Sequence, residues 1–295
     1  MNMLFIIILF LISSFSCKEN AQKENTNFVN SVNLKDSIIF NYDSTIAELR
    51  KVLPNDFIFG KYSCFVIVSN LNKSETQEII NNTIANAEEC FYNDYFNKKP
   101  DEQITIFLFK NDETYRHWAK KLYGDTDLSR FGYFKPSKKA MLMNIATGTG
   151  TLVHELTHAF VRSDFPDIPS WFNEGLGSLY ERCSLNYKEI KGYVNWRLPA
   201  LQESIADKSY TSIDALLKTD DDEFYGNNSG YNYSQARYLC LYLQENGLLK
   251  SYYKKFRDNY GKDNTGKIFL EEIMKDKIVN FEPEFILWVK SLKYQ

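Results

Sequence analysis

The chain has 295 residues, of which 44% are hydrophobic, 16% aromatic and 25% charged, with a formal net charge of −3. That length exceeds one typical domain and fits one two-lobed unit, while the slightly acidic balance lacks the basic footprint of a nucleic-acid-binding surface. Twenty tyrosines and 22 phenylalanines point to a large core and to adhesive concave surfaces.

The chain opens with an apolar run, Leu4–Ile12, of nine residues. It is too short to span a bilayer core, which takes about 20 residues, and it fits the core of a signal peptide. Small residues lead through Ser16 into Cys17, a pattern that resembles a bacterial lipobox. That resemblance implies export, lipidation of Cys17 and attachment to a membrane of the cell envelope, with the outer membrane or cell surface favoured by Lys18-Glu19-Asn20. Residues 18–44 are expected to form a flexible tether, because residues 18–36 carry almost no apolar side chains. The rest, residues 45–295, forms the functional domain. With Cys17 set aside, Cys64, Cys90, Cys183 and Cys240 remain, without a Cys-x-x-Cys spacing; four cysteines allow three pairings, and free thiols are an equal alternative.

Residues 57–147 alternate between strand and helix signals. Tyr62–Ser69 reads as a strand, Ser74–Phe96 as a helix with Ser74 at its N-cap, Ile104–Phe109 as a strand, and Asn111–Tyr123 as a helix ended by Gly124. Lys139–Ala146 is a third strand-like run. His117, between bulky neighbours and without a ligand-spaced partner, reads as a packing or surface residue. Thr147–Thr151 lacks the lysine and spacing of a phosphate loop, so its glycines are expected to make a turn and a threonine to cap the next helix.

That next helix carries His154-Glu155-x-x-His158. Residues four apart lie on one helical face, so the two imidazoles can hold one metal ion while Glu155, beside them, takes a proton from bound water. The chain has only three histidines in all, and two of them take this spacing. A third ligand is needed. Pro169 interrupts the first helix and Ser170 is a suitable N-cap for a second. Glu174 then falls in the opening turns of that helix. Gly175 and Gly177 weaken helix propensity by up to about 1 kcal/mol each, which suggests close approach to another backbone. Glu174 is thus the favoured third ligand, with Glu181, Asp164 and Asp167 as rivals.

His154-Glu155-x-x-His158 followed by Trp171-x-x-Glu174-Gly175 resembles the gluzincin branch of the zincin metallopeptidases, which includes thermolysin and the M1 aminopeptidases. The nearer likeness is to compact bacterial peptidase MA-like domains. It extends over roughly residues 100–290, with its specific part at 154–181. The resemblance implies zinc held by His154, His158 and Glu174, with Glu155 as general base. It also implies a substrate strand added to a sheet edge, for which Met141–Ile145 is a candidate alongside an ordinary core strand. Two features depart from the pattern. Ser178 stands where thermolysin-type helices carry an acid that orients a ligand imidazole, and the motif by which M1 aminopeptidases grip a substrate amino terminus is missing.

After Glu181 the chain reads as helical: Tyr187–Ile205, Ser212–Leu217, Gly247–Tyr260, Lys267–Lys275 and Pro283–Leu292. Thr219–Glu223 lacks the spacing of a calcium loop and reads as a solvated loop. Gluzincins commonly supply an oxyanion donor from a tyrosine or histidine downstream of the glutamate ligand. Tyr233, with Ala236 three positions on, fits that arrangement, and Tyr231 is the reserve.

These readings predict an α+β fold with a zincin-like N-terminal lobe to about residue 183 and an α-helical C-terminal lobe over 184–295. The predicted activity is zinc-dependent hydrolysis of peptide or protein substrates. A catalytically silent, envelope-tethered peptide-binding protein is the second reading. A structural zinc site is the third, with Cys183 the only cysteine close to the motif.

Overall fold

The computed structural model describes residues 40–294. The signal peptide, Cys17 and most of the tether lie outside the described residues. Helix α1 (Tyr42–Arg50) begins inside the segment expected to be tether: the Asn41 side chain accepts from the Ser44 amide at 3.2 Å, and Asp43 and Arg50 suit the two ends of the helix dipole.

The fold is α+β. A five-stranded mixed sheet has the order β1-β2-β3-β5-β4. Strands β1 (Ile58–Tyr62) and β2 (Phe65–Ser69) form an antiparallel hairpin. The single strand expected over Tyr62–Ser69 is therefore broken: Ser63, at φ +49°, turns the chain. Strand β2 is buried throughout, as expected of a continuous apolar run flanked on both sides by parallel or hairpin partners. Strand β3 (Ile104–Phe109) runs parallel to β2, and β5 (Ala140–Asn144) parallel to β3. Strand β4 (Gly132–Lys135), absent from the sequence reading, pairs antiparallel to β5 and forms one edge of the sheet, β1 forming the other. Of the two readings of Met141–Ile145, the ordinary core strand holds and the substrate edge does not: β5 is interior, and the edge next to it is β4.

Strand periodicity sorts the core into two layers. Val66, Val68, Phe107, Phe109 and Leu142 face Tyr115 and Trp118 of α4 (Asp112–Tyr123). Phe65, Ile67, Ile106, Leu108 and Met141 belong to the second layer, with Leu152, Leu156 and Phe160 of α5 (Gly150–Asp164). His117 is exposed on α4, edge-on to Trp118. The helix expected from Ser74 starts earlier, because Asn72 and Glu75 form a reciprocal capping box. It runs as α2 (Lys73–Ile79), a π-helical segment (Ile80–Ala85) and α3 (Asn86–Asp94).

Helix α6 (Ser170–Leu179) follows α5 after a short loop. Its cap position is held by Pro169, and Ser170 Oγ donates instead to Asp221 at 2.5 Å. Thr149 occupies the cap position of α5, but its side chain makes no capping bond. The start of the helix predicted over Tyr187–Ile205 is instead part of a hairpin, β6 (Cys183–Asn186) and β7 (Glu189–Gly192), turned by Tyr187 and Lys188 at φ +54° and +65°. Only α7 (Leu198–Ala206) is helical there. The remaining elements are α8 (Ile213–Leu216), α9 (Asp221–Phe224), α10 (Ser229–Glu245), α11 (Leu249–Asn259), α12 (Lys267–Met274) and α13 (Ile278–Ser291). The acidic stretch expected as a loop thus forms α9, because Asp220 and Glu223 cap it reciprocally. Helix α13 begins five residues before Pro283, which lies inside it. Cys64, Cys90, Cys183 and Cys240 are free thiols. Among the described residues no helix is long and apolar enough to cross a membrane.

Candidate metal centre

Helix α5 places His154 and His158 one turn apart, and α6 packs across it with Glu174 facing both. His154 Nε2 and His158 Nε2 are 2.9 Å apart, and each lies 3.3 Å from Glu174 Oε2. A tetrahedral centre with bonds of about 2.0–2.1 Å sets its ligand atoms about 3.3 Å apart, so the spacing suits a single small cation. The glycines of α6 make this approach possible. A Cβ on Gly177 would lie 3.0 Å from His158 Cε1 and 3.1 Å from His154 Nε2. One on Gly175 would lie 2.9 Å from Cys240 Sγ and 3.0 Å from the Ala236 carbonyl of α10.

The outer nitrogens fix which lone pairs face inward. His158 Nδ1 lies 2.9 Å from Asn173 Oδ1, an acceptor, so this nitrogen carries the proton. His154 Nδ1 lies 3.4 Å from Glu181 Oε1, long for a hydrogen bond but close enough for the carboxylate to orient the ring. With each neutral ring carrying its proton on Nδ1, both Nε2 lone pairs turn toward one point. Glu174 Oε2 is buried there without a donor. Three electron-pair donors within about 3 Å of each other repel unless a cation sits between them. The residues therefore fit a zinc ion, and the charge balance agrees. Burial pulls the His154 pKa down, but the neighbouring Glu174, Glu181 and Glu155 carboxylates override it and hold the pKa well above the ordinary imidazole range. Burial raises the pKa of Glu174, yet the two imidazoles hold it far below the usual carboxylate range. The pocket favours a positive charge.

Three supports were not assigned from sequence. Glu181, read as a rival ligand, orients His154 and is itself gripped by Arg197, whose Nη2 donates to Oε1 at 2.8 Å and Nε to Oε2 at 3.1 Å. Glu181 thus supplies the acid that Ser178 does not. The Ser178 hydroxyl instead donates back to the Glu174 carbonyl. Asn173 and Tyr225 carried no sequence signal. Tyr225 Oη donates to Glu174 Oε1 at 2.8 Å, leaving the other oxygen for the metal. Asp164 is no ligand: it accepts from the Asn97 and Lys98 amides, Tyr253 and Arg257. Asp167 and Cys183 stand outside the His154–His158–Glu174 group among the described residues.

Glu155 is buried beside the imidazoles. Burial raises its pKa, while His154, His158 and the Phe134 amide of β4 partly offset that rise. Two cavities meet at this point. One of 530 Å³ is lined by Phe131, Gly132, Trp196 and Arg197. The other, of 680 Å³, is lined by Tyr133, Phe134, Val161 and Ile168. His154, Glu155 and Tyr233 line both. Tyr233 is half-buried near the start of α10 with Arg197 against its ring, whereas Tyr231 is exposed and lines neither cavity.

No family model matches the chain, and no curated protein does. Among solved structures it is similar to native yeast LTA4 hydrolase, with 12% identity and a TM-score of 0.43. The match covers 80% of this chain and 38% of that one, so the chain spans well under half the length of that neighbour. A likeness at this level carries no weight, and the site's own residues must.

Proposed function

We propose that the chain is a zinc-dependent metallopeptidase. The observation that carries this reading is the convergence of His154 Nε2, His158 Nε2 and Glu174 Oε2, each electron-rich and facing one point, with the Glu155 carboxylate alongside. Zinc bound there would supply Lewis-acid polarisation of the scissile carbonyl and an acidified water. Glu155 takes the proton of that water and delivers it to the leaving amine; its raised pKa suits a group that must hold a proton in transit. Tyr233, kept protonated because burial raises its pKa, donates from Oη to the developing oxyanion. The free edge of β4 offers main-chain groups to an extended peptide. Asn173, Glu181 and Tyr225 hold the three ligands in place. The Leu4–Cys17 segment supports the further reading that the enzyme is exported and lipid-anchored through Cys17.

The test is zinc content beside peptide hydrolysis. The wild-type chain is expected to hold about one zinc and to cleave peptides, in keeping with a three-ligand catalytic site. Glu174→Ala should lose the metal. Glu155→Gln should keep it and lose turnover by roughly 10²–10⁴-fold, the usual worth of a general base. A wild-type chain that rejects zinc when it is offered would end the peptidase reading and favour a silent binding protein.

A further inference from the structure

We infer that the site cleaves within polypeptide chains and requires neither terminus of its substrate. This rests on the metallopeptidase reading and extends it to a substrate class. The geometry that points to it is the course of β4 past the metal centre. Phe131 and Gly132 line one cavity, whereas Tyr133, Phe134 and Pro136 line the other. The β4 edge of the sheet thus passes from one cavity to the other. Glu155 and the imidazole of His154 stand where the two meet. Strand β4 itself, Gly132–Lys135, covers about 10 Å at about 3.3 Å per residue, with Phe131 and Pro136 flanking its two ends. An extended peptide along it would pair about four residues, with the scissile bond near the middle and chain continuing on either side.

The charges in the cavities agree. An enzyme that trims amino termini needs a free carboxylate for the α-amine. Glu174 faces the two imidazoles, Glu181 is held by Arg197, and Glu155 serves as the base. No other carboxylate lines either cavity among the described residues. An enzyme that trims carboxyl termini needs a sheltered cation. Arg197 is committed to Glu181, and Arg162 is exposed on α5, where solvent screens its charge. Among the described residues, neither cavity holds a fixed, unpaired charge against which a chain end would register.

The experiment uses the full chain loaded with zinc and a pool of peptides of about a dozen residues. Each peptide is offered with free ends and with acetylated and amidated ends, and products are read by mass spectrometry. The expected result is cleavage at interior bonds, with rates for blocked and free peptides within about threefold. A second measurement does not depend on turnover. A blocked peptide added to zinc-loaded Glu155→Gln should protect backbone amides on both halves of residues 131–136 from hydrogen exchange. Cleavage confined to one or two residues from a free end, abolished when that end is blocked, would overturn the inference and leave the peptidase reading standing. A rule set by the carboxyl end would assign Arg162 as its anchor. Stoichiometric zinc with no peptide cut in any form would overturn both.

Discussion

Gly177→Ala separates the stability of the fold from the geometry of the metal site. Gly177 lies inside α6, where alanine is favoured over glycine by up to about 1 kcal/mol. For a domain of this size that corresponds to about 2–4 °C in Tm. The new Cβ, however, would sit 3.0 Å from His158 Cε1 and 3.1 Å from both Cε1 and Nε2 of His154. Relaxed carbon contacts begin near 3.5 Å, so the rings must retreat by about 0.3–0.5 Å, beyond the roughly 0.2 Å that a metal site tolerates. The metal-free variant should therefore melt within a few degrees of wild type. Its zinc affinity should fall about 10–100-fold, the range seen when groups supporting the ligands are disturbed. Thermal melting with chelator present and a competitive zinc titration measure the two effects. Wild-type zinc affinity in Gly177→Ala would refute the claim that α6 is glycine-bearing here to admit the imidazoles.

Other substitutions probe the supporting residues. Glu181→Gln should weaken zinc binding about tenfold or more by removing the charge that orients His154, and an unchanged zinc affinity would leave Glu181 as only a partner of Arg197. Tyr233→Phe should lower kcat by about 10²–10³-fold with KM little changed; if both parameters match wild type, the oxyanion donor lies elsewhere. Asn173→Ala leaves the His158 Nδ1 proton without its acceptor and should cost about 1–3 kcal/mol in the metal-free protein, read by chemical denaturation.

The clustering of His154, His158 and Glu174 was legible because it is local. His154, Glu155 and His158 share one helical turn, and Glu174 follows a proline-marked helix start. Strand β3 and helix α4 were legible for the same reason: a dense apolar run and a clean Asn111-to-Gly124 frame. What escaped the sequence depends on tertiary pairing. Strand β4 is four residues long, Gly-Tyr-Phe-Lys, without alternation strong enough to announce itself, and only its bonds to β5 make it a strand. The hairpin at 183–192 was hidden because Tyr187 and Lys188 take left-handed turn positions that glycine or asparagine usually mark. The roles of Glu181 and Tyr225 follow from how α6, α9 and α7 converge, and no spacing in the chain encodes that.

The contact between α6 and α10 has a mechanical consequence. Gly175 rests on the Ala236 carbonyl, and the buried Arg237 donates to the carbonyls of Ser178, Leu179 and Tyr193. Glu174 and Tyr233 therefore sit on one closely packed helix pair, while His154, Glu155 and His158 belong to the helix laid on the sheet. A metal ion held at the centre would be a cross-link between these elements, parallel to the covalent link at residues 165–169. Chelation should slacken that joint and speed amide exchange there, while the interior of α10 keeps its protection. Occupancy of the centre would then set how firmly the cleft is held in shape.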